Sequence, residues 1–287
     1  MKVIRWFNRH IWFFPTCALI TAAVLLVFCV RPLLGWVGWP YGAYPARLLR
    51  KIAACVLAGV CIGALWGLGV GLRIRLTGWE IARETARMCE TCDPEPVLLA
   101  CRELQAVWLD GLRPKLVMTV QLSMANAAGL LGRIQEAEQE LNRLLPLYER
   151  YKPSAQLAVE LHAAAVRLWN HKPEDARSFL TEAERHLDQM GGPAPLRTAL
   201  ENRKRLCRLV TEGGSEALLA EFQQELAGSE KGSLLDQVSS HMNVARCLLD
   251  LNRPEDVRPH LEFVAANGNK LGIRVEAEAC LAALAEG

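Results

Sequence analysis

The chain has 287 residues, 51% of them hydrophobic, and a formal net charge of +2 at pH 7. That average conceals two unlike parts. Residues 1–72 carry seven basic residues and no acidic one, whereas residues 73–287 carry 26 basic against 31 acidic residues, a net charge of −5. An acidic main body excludes nucleic acid as the principal partner, because phosphate binding requires a basic surface.

Two long uncharged runs come first along the chain, at residues 11–30 and 52–72. Each is long enough to cross a hydrocarbon core of about 30 Å as a helix, the structure that satisfies its own backbone in lipid. The alternative for the first run is a cleaved signal peptide. The run is longer than the usual apolar region of such a peptide, and no small-x-small cleavage motif follows it. We therefore expect residues 1–73 to form a transmembrane hairpin in the lipid bilayer.

Basic residues near the two runs predict the topology of this hairpin. Three precede the first run and four closely follow the second, whereas the connecting loop has four. Because basic residues are enriched on the cytoplasmic side, this bias places both termini in the cytoplasm. We expect an integral protein of a cell membrane such as the bacterial inner membrane.

The second run has a face of small residues. Gly59, Gly63, Gly67 and Gly71 recur every four residues, which places them on one side of a helix. Such a groove permits close helix–helix approach in lipid. It predicts packing within the hairpin or, alternatively, self-association or contact with another membrane protein.

From residue 77 onward the apolar residues recur at helical spacing, and no run alternates as a strand would. Five segments start a helix in a similar way, with a turn residue followed by a small residue one turn later. The small residues lie 40, 39, 41 and 40 positions apart; they are Val97, Ala137, Ala176, Ala217 and Val257. Partner helices are predicted at 115–131, 154–169, 196–211 and 233–251, with a capping helix at 271–285. The pattern is typical of a helical repeat array.

The first full repeat resembles the tetratricopeptide (TPR) family. Ala125, Ala128, Gly132, Ala137 and Leu141 fall at that family's packing and turn positions. The second and fourth repeats fit less completely and the third fits poorly, while the period of about 40 exceeds the family's usual 34. The resemblance implies an all-α, TPR-like α-solenoid over residues 74–287. The alternative is a non-repetitive helical bundle.

In TPR proteins the first helix of each pair lines a concave groove that binds peptides. Carried over to this chain, the resemblance implies groove positions at Asn126, Asn202, Asn243 and Arg246. A basic cluster on the third of these helices favours contact with an acidic segment, unless it is one more solvated face; it comprises Arg203, Lys204, Arg205 and Arg208.

Candidate chemistry is sparse. Cys89 and Cys92 form a Cys-x-x-Cys motif, which serves as a redox pair or half a zinc site in other contexts. There is no βαβ pattern and no second ligand pair, so packing in an interhelical turn is the preferred interpretation. His162 and His241 are interpreted as solvent-facing. We predict no catalytic residue, no metal and no cofactor.

These observations lead to three hypotheses. The preferred one is a non-catalytic membrane-anchored scaffold or adaptor that binds a protein partner at the cytoplasmic face. The second is a structural or assembly subunit of a larger membrane complex, contacted through the glycine face. The third, a cysteine-dependent redox or zinc protein, depends on Cys89 and Cys92 alone.

Overall fold

The computed structural model describes residues 78–108 and 114–286, together with single positions between 59 and 76. The chain divides near residue 79, and the unit from Glu80 onward is the one described here. Within the described residues no helix is both long and apolar enough to span a bilayer. The runs predicted to do so, 11–30 and 52–72, lie outside those residues except for Gly59, Gly69 and Leu72.

All regular secondary structure in the described part of the chain is helical, which confirms the predicted all-α class. The first helices of successive pairs begin and end within two residues of their predicted positions. In chain order the helices are α1 (78–91), α2 (Glu95–Trp108), α3 (Pro114–Leu130), α4 (Ile134–Leu144), α5 (Pro153–Trp169), α6 (Pro173–Gln189), α7 (Ala194–Glu212), α8 (Glu216–Ser229), α9 (Leu234–Asp250), α10 (Pro254–Asn267) and α11 (Gly272–Glu286), with a 3₁₀ turn at Leu145–Arg150 after α4.

The same turn recurs after the first helix of each pair. At each turn one residue adopts a positive φ, the left-handed conformation that commonly ends a helix; these residues are Cys92, Gly132, His171, Gly213 and Asn252. In three of the turns the next N–H bonds the carbonyl five residues earlier, as Arg133 does to Ala128 at 2.8 Å. The backbone thus repeats every 39–42 residues, giving a solenoid-like order of helices.

Small residues allow the two helices of most pairs to approach closely. Val97, Ala137, Ala176 and Val257 are all buried, the last three completely. The corresponding residue of the third pair, Ala217, is exposed. The poor fit of the third repeat to the sequence pattern therefore has a structural counterpart.

The backbones of the third pair, α7 and α8, are widely separated. The backbone of α7 lies against α5 and α6, whereas that of α8 lies against α9, and α7 and α8 do not pack closely on each other. Leu209 of α7 shares a buried apolar core with Leu218, Leu219 and Phe222 of α8, and polar side chains also connect the two helices. We call this bridge the α7–α8 seam and define it by Asn202, Arg205, Arg208, Glu221 and Glu225.

The last helices return to the first. The Nζ of Lys270 lies 3.0 Å from a carboxylate oxygen of Asp93 and 2.7 Å from one of Glu95, and Asn269 donates to the carbonyl of Thr91 at 2.8 Å. Cys92 belongs to the same apolar core as the C-terminal helices. The described unit is therefore closed on itself rather than open-ended.

Candidate binding site at the α7–α8 seam

A three-residue network forms the centre of the seam. One carboxylate oxygen of Glu225 accepts from Asn202 Nδ2 at 3.0 Å, and the other lies 3.2 Å from Arg205 Nη2. Arg205 also donates to the side-chain oxygen of Asn202. Burial raises the pKa of Glu225, while the nearby guanidinium groups of Arg205 and Arg203 oppose that rise. Only one oxygen of this carboxylate is hydrogen-bonded; the other, Oε2, is buried and has the ion pair with Arg205 but no hydrogen bond among the described residues.

Arg203 lies beside this network without joining it. It occupies the α7 face that also carries Leu196, Ala199 and Leu206, three residues packed against the core of α5 and α6. Its side chain is half-buried, and within the described part of the chain it forms no hydrogen bond or ion pair. Burial lowers the pKa of its guanidinium, and the charge of Glu225 only partly offsets that effect. Beside the seam, Arg203 is thus a partly desolvated cation whose charge is stabilised by Glu225.

The neighbouring helix α5 contributes His162. Its Nδ1 lies 2.7 Å from the carbonyl oxygen of Ala158, so that nitrogen carries a proton and donates. Burial lowers the pKa of His162, and repulsion from Arg203 lowers it further. The prediction that His162 faces solvent is wrong, because the residue is half-buried and its Nδ1 is hydrogen-bonded to Ala158.

The other members of the basic cluster are neutralised. Lys204 pairs with Glu184 at 2.6 Å, and Arg208 pairs with Glu221 at 2.5 Å. Together with the Arg205–Glu225 pair, these contacts engage three of the four basic side chains. Arg203 alone has no such partner among the described residues.

The predicted groove residues differ in exposure and in partners. Asn202 and Arg203 lie at the seam, whereas Asn126 is half-buried on α3 and Asn243 is buried on α9. Arg246 forms two hydrogen bonds to Glu276 of α11, at 2.8 and 2.5 Å, and is therefore already engaged. Sequence periodicity identified helices of the correct type, but closure of the unit gives each one a different environment.

The cysteine environment does not favour thiolate chemistry. Cys92 and Cys101 are completely buried, and burial raises their pKa values to about 11 and about 12. Burial and the charge of Asp236 also raise the pKa of Cys89. Since the thiolate is the nucleophile, these shifts disfavour nucleophilic chemistry at the three thiols. No group of three or more potential metal ligands occurs among the described residues.

Sequence reasoning missed a buried polar network between α5, α6 and the 3₁₀ turn. Glu160 is fully buried, accepts from Tyr148 and lies 2.8 Å from His186 Nδ1. The other ring nitrogen of His186 lies 3.2 Å from Arg185 Nη2, so it accepts while Nδ1–H donates to Glu160. In the sequence, Glu160 interrupts an otherwise apolar run, and that interruption is the feature that could have indicated a buried polar network.

A second histidine contact lies between α9 and α10. The Nδ1 atoms of His241 and His260 are 2.9 Å apart, and His241 stacks on Phe263 with ring centroids separated by 4.0 Å. The solvent-facing prediction is therefore wrong for His241 as well. Of the predicted glycine face, Gly59 is helical and exposed, while Gly63, Gly67 and Gly71 lie outside the described residues.

Comparison of the chain with known proteins finds no matching family model, no matching curated protein and no matching solved structure.

Proposed function

We propose that this chain is a membrane-anchored, TPR-like scaffold that binds a protein partner at the α7–α8 seam on the cytoplasmic face. The anchor is the hairpin of residues 1–73, and the scaffold is the helical unit that follows. The chain performs no catalysis in this proposal.

The wide separation of the α7 and α8 backbones is the observation that carries the proposal. The other pairs bury a small residue between their helices, whereas Ala217 is exposed and polar side chains connect α7 and α8 beside a shared apolar core. An apolar core with a polar edge is a feature of surfaces that bind another chain.

Site-specific photo-crosslinking tests the seam. A photoreactive residue replaces Arg208, which is exposed on α7, and in a matched variant it replaces Arg258, which is exposed on α10. We expect a discrete crosslinked protein from position 208 in native cells and not from position 258. Equal crosslinking at both positions, or none at 208, would contradict binding at the seam.

Membrane anchoring is tested separately with the full chain. We expect it to remain in the membrane pellet after alkaline carbonate and to enter solution only with detergent. Proximity labelling from the C-terminus should then mark cytoplasmic proteins. Labelling confined to extracytoplasmic proteins would overturn the proposed orientation.

The second candidate is a structural or assembly subunit of a larger membrane complex. The exposed helical Gly59 favours it, because small residues at a helix surface permit close contact with another helix. Under this alternative, Gly63→Leu should release the chain from a detergent-stable assembly. In the scaffold proposal, that substitution leaves crosslinking at position 208 unchanged.

A further inference from the structure

We infer that the exposed face of α1 lies against the anionic phospholipid headgroups of the membrane in which the chain is anchored. The inference rests on the proposed function, because it names the surface by which the helical unit meets the bilayer. We call this surface the α1 lipid face. Its members are all exposed; they are Trp79, Ala82, Arg83, Ala86 and Arg87.

Packing of the opposite side of α1 fixes the direction of this face. Ile81 and Met88, which are two helical turns apart, are buried in one apolar core with residues of α2 and α3. Residues three or four positions apart lie on the same side of a helix, so the members of the α1 lipid face lie together and point away from that core. A rotation of α1 that hid the α1 lipid face would expose Ile81 and Met88 to water.

The α1 lipid face combines an aromatic ring with two guanidinium groups. Trp79 is 54% exposed, and Arg83 and Arg87 follow it about one and two helical turns later. Tryptophan is enriched at membrane–water interfaces, and guanidinium groups match the oxygens of a phosphate. The exposed acidic residue of α1, Glu90, lies in its last turn. The composition of the face therefore fits a surface of phosphate headgroups above apolar acyl chains.

Position in the chain and charge identify the occupant. The uncharged run predicted to span the bilayer ends at residue 72, and Arg73 and Arg75 lie between it and α1. Even a fully extended chain from residue 72 to Trp79 spans only about 25 Å, so the predicted anchor keeps α1 near the bilayer. The cytoplasmic leaflet is negatively charged and attracts basic residues beside a membrane span. Because residues 73–287 carry 26 basic against 31 acidic residues, a local basic face must supply this attraction.

Fluorescence quenching in vesicles tests the contact. The full chain, with a fluorescent amino acid in place of Ala86, is reconstituted into vesicles of equal parts phosphatidylglycerol and phosphatidylcholine, some with a nitroxide on the headgroup. In a matched version the fluorescent residue replaces Arg258, which is exposed on α10. We expect strong quenching at position 86 and little at position 258. Equal quenching at both positions, or none at 86, would overturn the inference.

Charge variants test recognition of the headgroups. Combining Arg83→Gln with Arg87→Gln should lower the equilibrium constant for headgroup contact about tenfold or more, because each basic residue near an anionic surface contributes to binding. Combining Arg177→Gln with Arg258→Gln removes the same charge from exposed positions on α6 and α10 and should leave that constant within about threefold. Vesicles of phosphatidylcholine alone should weaken quenching as the α1 variant does. Equal effects of the two double variants, or equal quenching in both kinds of vesicle, would contradict binding to anionic lipid.

The anchor and the α1 lipid face can fail separately. If the chain resists extraction by carbonate but position 86 is not quenched, the proposed anchor stands and this inference fails. If carbonate releases the chain and anionic vesicles still quench position 86, the α1 lipid face stands and the proposed hairpin fails. A discrete protein crosslinked from position 86 in native cells would show that a protein, and not lipid, occupies the face.

Discussion

At the scale of single residues, Tyr148 and Tyr151 form a natural comparison. The hydroxyl of Tyr148 donates to the buried carboxylate of Glu160, whereas the buried hydroxyl of Tyr151 has no hydrogen-bond partner within the described chain. Tyr148→Phe should lower the free energy of unfolding by about 1.5–3 kcal/mol, the range for hydrogen bonds to charged groups. Tyr151→Phe should be neutral or slightly stabilising. Urea denaturation of both variants measures the difference, and equal destabilisation would contradict the assigned partners.

The His241–His260 contact makes stability depend on pH. Burial, together with the charge of His260, lowers the pKa of His241 from its ordinary 6.5 to about 4, while Asp256 opposes the lowered pKa of His260. A depressed pKa means that the unfolded chain takes up the proton first. The contribution of His241 to stability is therefore fully present above about pH 6.5 and is lost as the pH falls toward 4.

The corresponding experiment measures unfolding free energy between pH 7 and pH 4. His241→Asn should reduce the loss of unfolding free energy over this pH range by up to about 3 kcal/mol. The reason is that the pKa of His241 differs by roughly 2.5 units between the folded and the unfolded chain. The control is His171→Asn, which removes an exposed imidazole at a left-handed position that Asn tolerates. If the His241 variant loses unfolding free energy with falling pH as steeply as the wild type, His241 is not the source of the pH dependence.

At the scale of helices, the repeat was predictable because it depends on local sequence. A turn residue, acidic residues in the first helical turn and one buried small residue recur at the spacing that the backbone shows. The wide separation of the α7 and α8 backbones was visible in the sequence only as a poor fit of the third repeat. The separation depends on the packing of α7 against α6 and of α8 against α9. These are tertiary contacts, which a local sequence pattern does not specify.

Two alanine positions test this description of the helix pairs. Ala176 is completely buried where α5 meets α6, while Ala217 occupies the corresponding place on α8 and is exposed. Ala176→Leu should cost about 1–3 kcal/mol through overpacking. Ala217→Leu should change the free energy of unfolding by no more than about 0.5 kcal/mol. A similar cost at both sites would mean that α7 and α8 pack closely after all.

At the scale of the whole unit, closure was not predictable from the repeat. The sequence indicated a capping helix at 271–285 with no partner, yet the turn before α11 bonds to residues near Cys92, and Gly272 lies against Gly132. A Cβ at Gly272 would lie 2.8 Å from Gly132 Cα, too close for the backbones to remain in place. Arg246, predicted to face a peptide, instead pairs with Glu276 because α11 covers that part of α9.

Gly272→Ala should therefore loosen the closure. We expect faster amide hydrogen exchange at Lys270 and Leu271, whose N–H groups bond to Cys92 and Gly268. Gly228→Ala is the matched control, since an added Cβ there has no atom within 4 Å. Exchange that is unchanged in the Gly272 variant would show that α11 accommodates the methyl without moving away from α3.

Closure also imposes an order on folding. The Asn269 side chain bonds to Thr91, 178 positions earlier in the chain, so the first turn of the array acquires its final neighbours only after residue 269 has been synthesised. Contacts of such long sequence separation form late and slowly. Until then the thiol of Cys92, which is buried in the folded unit, lacks the C-terminal part of the core that covers it. Exposed apolar surface of this kind is what makes incomplete chains prone to aggregate.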